Sequence, residues 1–217
     1  MDPTTTMSPE QHKYAQEAAK RVRPEGTKQY EDLHYSKNDR LRSLVDDPFA
    51  DHDALDKLAS PIRSGDRIKF FVLGAGIGGI LIAVRLIKSG FLPSQIVIVE
   101  VAGGIGGTWY WNRYPGIHCD IESYVYMPLL EEMGYVPTQK YASGVEIRSY
   151  LTQILERFEL LDRVLYRTQI NGLKWDEGTQ AWRAGLTTRR GPEGKDKETL
   201  WMDAEFAILA SGVFPCK

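Results

Sequence analysis

The chain has 217 residues, of which 42% are hydrophobic and 26% charged, a composition typical of a folded globular protein. Its 27 basic and 29 acidic residues give a net charge of −2, which disfavours a nucleic-acid groove or a polybasic membrane patch. The two cysteines, Cys119 and Cys216, are too few for a disulfide framework or a cysteine-rich zinc site.

Residues 1–67 are predicted to form a charged helical extension, and residues 68–217 the main domain. The extension is rich in charged residues and has too few aromatic residues for a core of its own. One helix is predicted over residues 9–22 with Ser8 as its cap, and a second short helix near residues 51–59. Without an export signal or a long apolar run, the chain is expected to be cytoplasmic, with no membrane span.

Strand and helix alternate from residue 68 onward. Residues 68–73 and 96–100 are continuous apolar runs typical of buried strands. A glycine turn and an apolar helix ended by Gly90 lie between them. This order predicts a βαβ unit with parallel strands and a right-handed crossover.

The later part of the chain is predicted to contain one helix and several strands. Ser143 and Glu146 form a capping-box pattern, and apolar residues at helical spacing follow as far as Phe158. A small antiparallel meander is predicted from three segments, which are 166–175, 180–188 and 198–203. A separate buried strand is predicted over residues 205–211. The fold class is therefore α/β, a Rossmann-like βαβ unit with a β-meander and a helical N-terminal extension.

The glycine turn after the first strand fits the pattern G-x-G-x-x-G. Gly74 permits the tight turn, Gly76 lets a pyrophosphate approach the backbone, and Gly79 lets helix and strand pack closely. Glu100 ends the second strand, where a carboxylate accepts the ribose hydroxyls of an adenosine and disfavours a 2′-phosphate. A purely structural glycine loop is the alternative, but the strand–helix–strand context favours binding of FAD or NAD.

A second glycine-rich segment, residues 103–120, carries a cluster of aromatic residues. Gly106 and Gly107 permit close backbone approach, and the cluster that follows offers flat walls for a planar ring. The alternative is that these aromatic residues simply cover the edge of the sheet.

Residues 106–120, read as GGTWYWNRYPGIHCD, resemble the flavin-side fingerprint of Baeyer–Villiger monooxygenases. These flavoproteins use FAD, NADPH and O₂ to insert oxygen beside a ketone. The resemblance continues through residues 121–124, 127–144 and 209–212. Residues 17–30 and 39–51 resemble the N-terminal arms of the longer, mostly fungal members, many of which act on polyketides and terpenoids in secondary-metabolite pathways.

The resemblance implies a role for individual residues. Gly74, Gly76 and Gly79 would hold the FAD pyrophosphate, and Glu100 the adenosine ribose. The residues implied along or beside the flavin are Gly107, Thr108, Trp109, Tyr110, Trp111, Asp120 and Tyr126. The residues implied to meet NADP are His118, Cys119 and Asp120. Asp120 also matches the carboxylate that positions the family's catalytic arginine.

This sequence departs from the family pattern in several places. Gly104 stands where the family usually has Asp, Val101 where Lys is common, and Ile117 and His118 where Ala and Arg are frequent. The family's second glycine motif, its F-x-G-x-x-x-H-x-x-x-W fingerprint and its catalytic arginine do not occur in the chain. The sequence is thus expected to be the first part of an incomplete flavoprotein with two dinucleotide-binding domains.

Two functions remain open at this point. The first is a monooxygenase that acts on a small-molecule ketone, with FAD as cofactor and NADPH as co-substrate. The second is a truncated, non-catalytic fragment that binds flavin or pairs with a second chain, or with the missing C-terminal half, through an open sheet edge. A metal site is not expected from the scattered histidines, nor hydrolase chemistry from serines outside G-x-S-x-G.

Overall fold

The computed structural model describes residues 7–30 and 32–212, and the chain divides into two compact units, one ending at Asp46 and one beginning at Asp47. Residues 47–67 of the predicted extension therefore lie in the unit that also contains the sheet. Cys216 lies outside the described residues. Within the described parts of the chain, no helix is long and apolar enough to cross a membrane.

The first unit consists of short helical segments. Helix α1 spans Pro9–Ala19 and α2 spans Asp39–Arg42, with 3₁₀ turns at Gly26–Gln29, Leu33–Tyr35 and Ser43–Val45. The predicted capping of α1 is confirmed, because Ser8 Oγ accepts from the Gln11 amide and the Gln11 side chain accepts from the Ser8 amide. The helix ends three residues before the predicted end, and none of its residues is buried.

The second unit is built on one six-stranded sheet. Its strands are β1 Arg67–Leu73, β2 Ile96–Val99, β3 Val164–Leu165, β4 Thr168–Asp176, β5 Ala181–Arg190 and β6 Asp196–Leu209. They lie in the order β3-β2-β1-β6-β5-β4. The helices are α3 His52–Asp56, α4 Ile77–Lys88, α5 Thr108–Trp111, α6 Ser123–Tyr126, α7 Leu130–Met133 and α8 Gly144–Arg157. Single 3₁₀ turns lie at Pro93–Gln95, Leu161–Arg163 and Pro192–Gly194.

The predicted βαβ unit is present. Strands β1 and β2 pair in parallel, with Phe70 opposite Ile96 and Leu73 opposite Val99. Helix α4 connects them and is followed by Gly90 with a φ of +95°, a conformation that favours glycine. The α/β fold class with an antiparallel meander, formed by β4, β5 and β6, is confirmed.

Strand β6 differs from the prediction of two separate strands over 198–203 and 205–211. It is one strand of 14 residues that pairs antiparallel with β5 as far as Ala204 and parallel with β1 from Asp203 onward. The predicted break was wrong because no glycine or proline interrupts the strand between its two partners. The meander and the parallel strands therefore form a single mixed sheet.

The core lies on both faces of this sheet. On one face β1 and β2 pack against α4 and α8, with buried residues that include Val72, Ile80, Ile98, Ile147, Leu151 and Ile154. A second cluster joins residues of β1 and β2 to residues of the meander, with buried residues that include Phe71, Val97, Leu186, Met202 and Ala204. The helical spacing predicted for α8 is confirmed by its buried face.

The capping of α8 is only half of the predicted box. Ser143 Oγ accepts from the Glu146 amide at 3.2 Å. The Glu146 carboxylate instead accepts from the Thr138 amide and hydroxyl and from the Tyr135 hydroxyl. These bonds tie the loop before the helix to its first turn.

Candidate cofactor-binding site

The first glycine turn depends on close backbone packing. Gly74 has a φ of +104°, and a Cβ there would lie 2.6 Å from the carbonyl oxygen of Ala210. A Cβ on Gly79 would lie 1.9 Å from the Gly74 carbonyl oxygen. Both contacts are shorter than any real Cβ contact, so only glycine allows α4 to begin this close to β1.

Gly76 is brought against the second glycine segment. A Cβ on Gly76 would lie 3.6 Å from Gly107 Cα, and Gly107 itself has a φ of +57°. The Gly106 amide donates to the Ala75 carbonyl at 2.9 Å. Two stretches of bare backbone therefore meet at the start of α4, which has no side-chain cap. Together they form a cradle of bare backbone at the start of a helix, the kind of site that accepts a pyrophosphate.

Glu100 lies directly beside this cradle. Its Oε2 accepts from the Ala75 amide at 2.7 Å and its Oε1 from the Ala102 amide at 2.8 Å. Burial raises the pKa of the Glu100 carboxyl, although these backbone donors act in the opposite direction. A carboxylate has about four lone-pair sites, so Glu100 keeps capacity for a hydroxyl donor beside its bonds to backbone amides.

The aromatic residues of α5 are divided between core and surface. Trp109 and Tyr110 are buried, Trp111 is partly buried and Thr108 is exposed. Trp109 Nε1 donates to the Tyr126 hydroxyl at 2.7 Å, and the two rings meet edge to face. The chain thus brings together two residues, 17 positions apart, that the resemblance places beside the flavin.

Tyr110 is held by Asp47 and Phe49, which lie in the segment 39–51 that resembles the N-terminal arms but were not predicted to be site residues. Asp47 Oδ2 accepts from the Tyr110 hydroxyl and from the Gly103 amide, both at 2.8 Å. Phe49 packs edge-on against the Tyr110 ring, and Arg113 lies over both rings. Burial raises the pKa of Tyr110, and the hydrogen bond to Asp47 raises it further. No motif marks Asp47 or Phe49 in the sequence, and the glycine pair at 103–104 is the only local sign of close packing there.

Residues 118–120 lie at the surface, apart from Cys119. The Cys119 amide donates to the Ala142 carbonyl, its side chain is buried, and its Sγ lies 3.1 Å from the Ile121 carbonyl oxygen. His118 and Asp120 are exposed on an open depression of about 600 Å³. Burial raises the pKa of Tyr126, and the nearby Cys119 and Asp120 raise it further. Cys119, which lines this depression, lies in the same buried cluster as Trp109 of the aromatic loop, residues 108–111.

A groove of about 1390 Å³ in this unit is lined by Gly104, Tyr110 and Arg113 and by one face of α8. Gly74, Gly76 and Glu100 do not line it. Among the residues that the structure describes, no group of three or more His, Cys, Asp or Glu side chains is placed to hold a metal ion.

Comparisons with known proteins place this geometry in context. Residues 72–133 match the family model described as an NAD(P)-binding Rossmann-like domain. A polycyclic ketone monooxygenase of Thermothelomyces thermophilus is 47% identical over 93% of this chain and 31% of its own length. The FAD-binding monooxygenase trt3 of Aspergillus terreus is 45% identical over 82% of this chain and 28% of its own length.

Solved structures give the same result. A polycyclic ketone monooxygenase from Thermothelomyces thermophila matches 93% of this chain with a TM-score of 0.84 and 47% identity, over 32% of its own chain. A cyclohexanone-bound cyclohexanone monooxygenase matches 70% of this chain with a TM-score of 0.56 and 28% identity, over 28% of its own chain.

The chain spans about a third or less of the length of each of these relatives. The relatives are monooxygenases, several of them named as FAD-binding. The comparisons confirm the resemblance to fungal Baeyer–Villiger monooxygenases that residues 106–120 predict, and this resemblance extends over most of the chain.

Proposed function

We propose that this chain forms the first FAD-binding part of a Baeyer–Villiger-type monooxygenase in fungal secondary metabolism, acting in the cytoplasm. The substrate would be a ketone of the polyketide or terpenoid class. The ketone, O₂, NADPH and a proton would give an ester or lactone, NADP⁺ and water. NADPH supplies two electrons, one oxygen atom enters the bond beside the carbonyl carbon, and the other leaves as water.

The observation that carries this function is the meeting of Gly76 and Gly107 beside Glu100. Backbone amides and the start of α4, which has no side-chain cap, would hold the pyrophosphate. The Glu100 carboxylate would accept the ribose hydroxyls while it keeps its bonds to Ala75 and Ala102. When bound, FAD supplies the transfer of electrons from NADPH to O₂.

The residues around the aromatic loop would orient the flavin ring. Thr108 and Trp111 reach the surface, whereas the rings of Trp109 and Tyr110 are buried and would anchor the helix that carries all four residues. Tyr126 would lie beside the flavin through its bond to Trp109. His118, Cys119 and Asp120 would meet NADPH, with the buried Cys119 side chain fixing the two exposed neighbours. Asp120 would also orient an arginine supplied from outside this chain.

The test is purification of the 217-residue chain and titration with FAD, followed by flavin fluorescence. We expect binding that Glu100→Ala weakens at least tenfold, because the ribose loses its acceptor. Consumption of NADPH is then measured with and without a separately expressed polypeptide that corresponds to the rest of a relative. A chain that takes up no FAD under either condition would contradict the proposed function.

A second candidate function is a non-catalytic, partner-binding fragment, and one feature favours it. Within the described residues, positions 205–209 of β6 pair with β1 on one side and with no strand on the other. Phe206 and Leu209 in this stretch are 53% and 65% exposed. An exposed apolar strand edge is a template for another strand. Binding of FAD without any NADPH oxidation after complementation would favour this candidate.

A further inference from the structure

The Asp47 carboxylate lies at the centre of a set of contacts that joins residues 47–50 to the loop of residues 103–113, called here the flavin-side loop. Its Oδ2 accepts from the Gly103 amide and the Tyr110 hydroxyl, each at 2.8 Å. Its Oδ1 accepts from the Phe49 amide at 3.0 Å. One carboxylate therefore holds three donors, two of which belong to the loop.

Close packing around these bonds excludes a side chain at positions 103 and 104. A Cβ on Gly103 would lie 2.5 Å from Ala50 Cβ, and a Cβ on Gly104 would lie 2.4 Å from a ring carbon of Tyr110. Glycine at both positions is what allows Ala50 and the Tyr110 ring to approach the backbone. The departure of Gly104 from the family pattern thus coincides with the place where the Tyr110 ring packs.

Cation–π contacts close the set from the solvent side. The Arg113 guanidinium lies 4.2 Å from the Phe49 ring centroid and 4.5 Å from that of Tyr110. Arg113 Nε also donates to the Tyr110 carbonyl at 2.9 Å. These contacts hold the Phe49 ring against the loop.

The same loop carries the glycine pair of the cradle. Gly106 and Gly107 follow Gly103 by a few residues, and the Gly106 amide is bonded to Ala75 in the first glycine turn. A shift of the loop at Gly103 would therefore move the backbone that faces Gly76. The loop is thus bonded to the first glycine turn at Gly106 and to Asp47 at Gly103.

We propose that Asp47 is a positioning residue for the dinucleotide site, which makes residues 47–50 of the predicted extension part of the cofactor-binding apparatus. This role rests on the proposed function for its effect on FAD. The contact itself is tested without any cofactor, because the Gly103 amide donates to Asp47 directly.

The experiment compares Asp47→Ala, Asp47→Asn and Asp53→Ala with the wild-type chain. Asp47→Ala is expected to weaken FAD binding about tenfold, which corresponds to ~1.4 kcal/mol. Asp47→Asn loses only the bond from the Phe49 amide and should stay within about threefold of wild type, because its amide oxygen still accepts from both loop donors. Asp53→Ala removes the same charge from an exposed position in α3 and should leave affinity unchanged.

Hydrogen exchange at the Gly103 amide is the cofactor-independent measurement. Exchange should accelerate at least tenfold in Asp47→Ala and stay slow in Asp47→Asn. Wild-type chain that binds no FAD would refute the proposed function alone, and Gly103 exchange would still decide the role of Asp47. If Asp47→Ala does not fold, Asp47→Ser, too short to reach both donors, takes its place with the same expectation.

Three results would overturn the role of Asp47. The first is unchanged Gly103 exchange in Asp47→Ala. The second is wild-type affinity for FAD in that variant. The third is an equal loss of affinity in all three variants, which would point to a general effect of charge. A double-mutant cycle of Asp47→Ala with Tyr110→Phe should show coupling, since both remove the same bond.

Discussion

At the scale of single residues, the glycines of the first turn do two different jobs. Gly74 and Gly79 are required by the fold, because a Cβ on either would overlap backbone atoms. Gly76 is not required in this way: its φ of −77° suits any residue, and a Cβ there would meet its nearest neighbour at 3.6 Å, an ordinary contact distance. Glycine at position 76 is therefore expected to serve the approach of a ligand and not the fold.

Substitution of Gly76 by alanine separates binding from folding. We expect Gly76→Ala to unfold at nearly the wild-type temperature but to bind FAD at least tenfold more weakly, a loss of ~1.4 kcal/mol. The added methyl group would occupy the space that the pyrophosphate needs. Flavin fluorescence titration and thermal unfolding on the same samples measure both quantities.

Gly78→Ala is the matched control. Gly78 is in the first turn of the same helix, and nothing lies within 4 Å of a Cβ there. We expect unchanged FAD affinity and a gain in stability of about 0.5–1 kcal/mol from helix propensity. Equal FAD affinities for Gly76→Ala and Gly78→Ala would show that the turn is structural only.

At the scale of elements, α3 is fastened to the sheet through a buried arginine. Arg167, 4% exposed, directs Nη2 to Asp56 Oδ1 and Nη1 to His52 Nδ1. The Asp56 carboxylate also accepts from the Gly191 amide at 3.0 Å. Asp56 forms an ion pair with this buried guanidinium, whose Nε, among the described side chains, is buried without a hydrogen-bond partner.

Asp56→Asn is expected to lower the free energy of unfolding by about 1–3 kcal/mol, because it leaves this guanidinium without a charged partner. Urea denaturation at neutral pH measures the change. Asp53→Asn in the same short helix is the control and should have almost no effect, because Arg167 is bonded to Asp56 and His52 and not to Asp53. Equal stability of Asp56→Asn and wild type would show that the pair contributes nothing.

The same pair predicts a dependence on pH. Arg167 lowers the pKa of Asp56 in the folded chain below its ordinary value of 3.8. The ion pair thus stabilises the fold above that value, and its contribution is lost as the pH falls through the folded pKa. The difference in stability between wild type and Asp56→Asn should be constant near neutrality and shrink below about pH 4.

Elements with a strong local signal could be predicted from the sequence, and elements fixed by tertiary pairing could not. The βαβ unit and α8 have apolar periods long enough to identify them. Strand β3 has two residues and no period of its own. The continuity of β6 is set by its change of partner from β5 to β1 near Ala204, which no local pattern encodes. The contact of Asp47 with Gly103 joins positions 56 apart and has no motif.

At the scale of the whole molecule, the last described residues of β6 have a strand partner, β1, on one side only. The Ala210 amide donates to the Leu73 carbonyl at 2.8 Å. Because successive residues of a strand direct their amides to opposite sides, the amides of Ala207 and Leu209 point away from β1. Those amides, with exposed Phe206 and Leu209 beside them, form the edge at which a further strand would pair.

Proline at position 207 would block this edge without removing a bond to β1. We therefore expect wild-type chain to self-associate with rising concentration across the micromolar range, and Ala207→Pro to stay monomeric with its fold largely retained. Ile208→Pro, which removes an amide directed at β1, should instead destabilise the chain strongly. Sedimentation velocity and thermal unfolding distinguish the two variants. Association of Ala207→Pro equal to that of wild type would place the contact elsewhere, whereas its loss would identify the end of β6 as the surface that a partner strand completes.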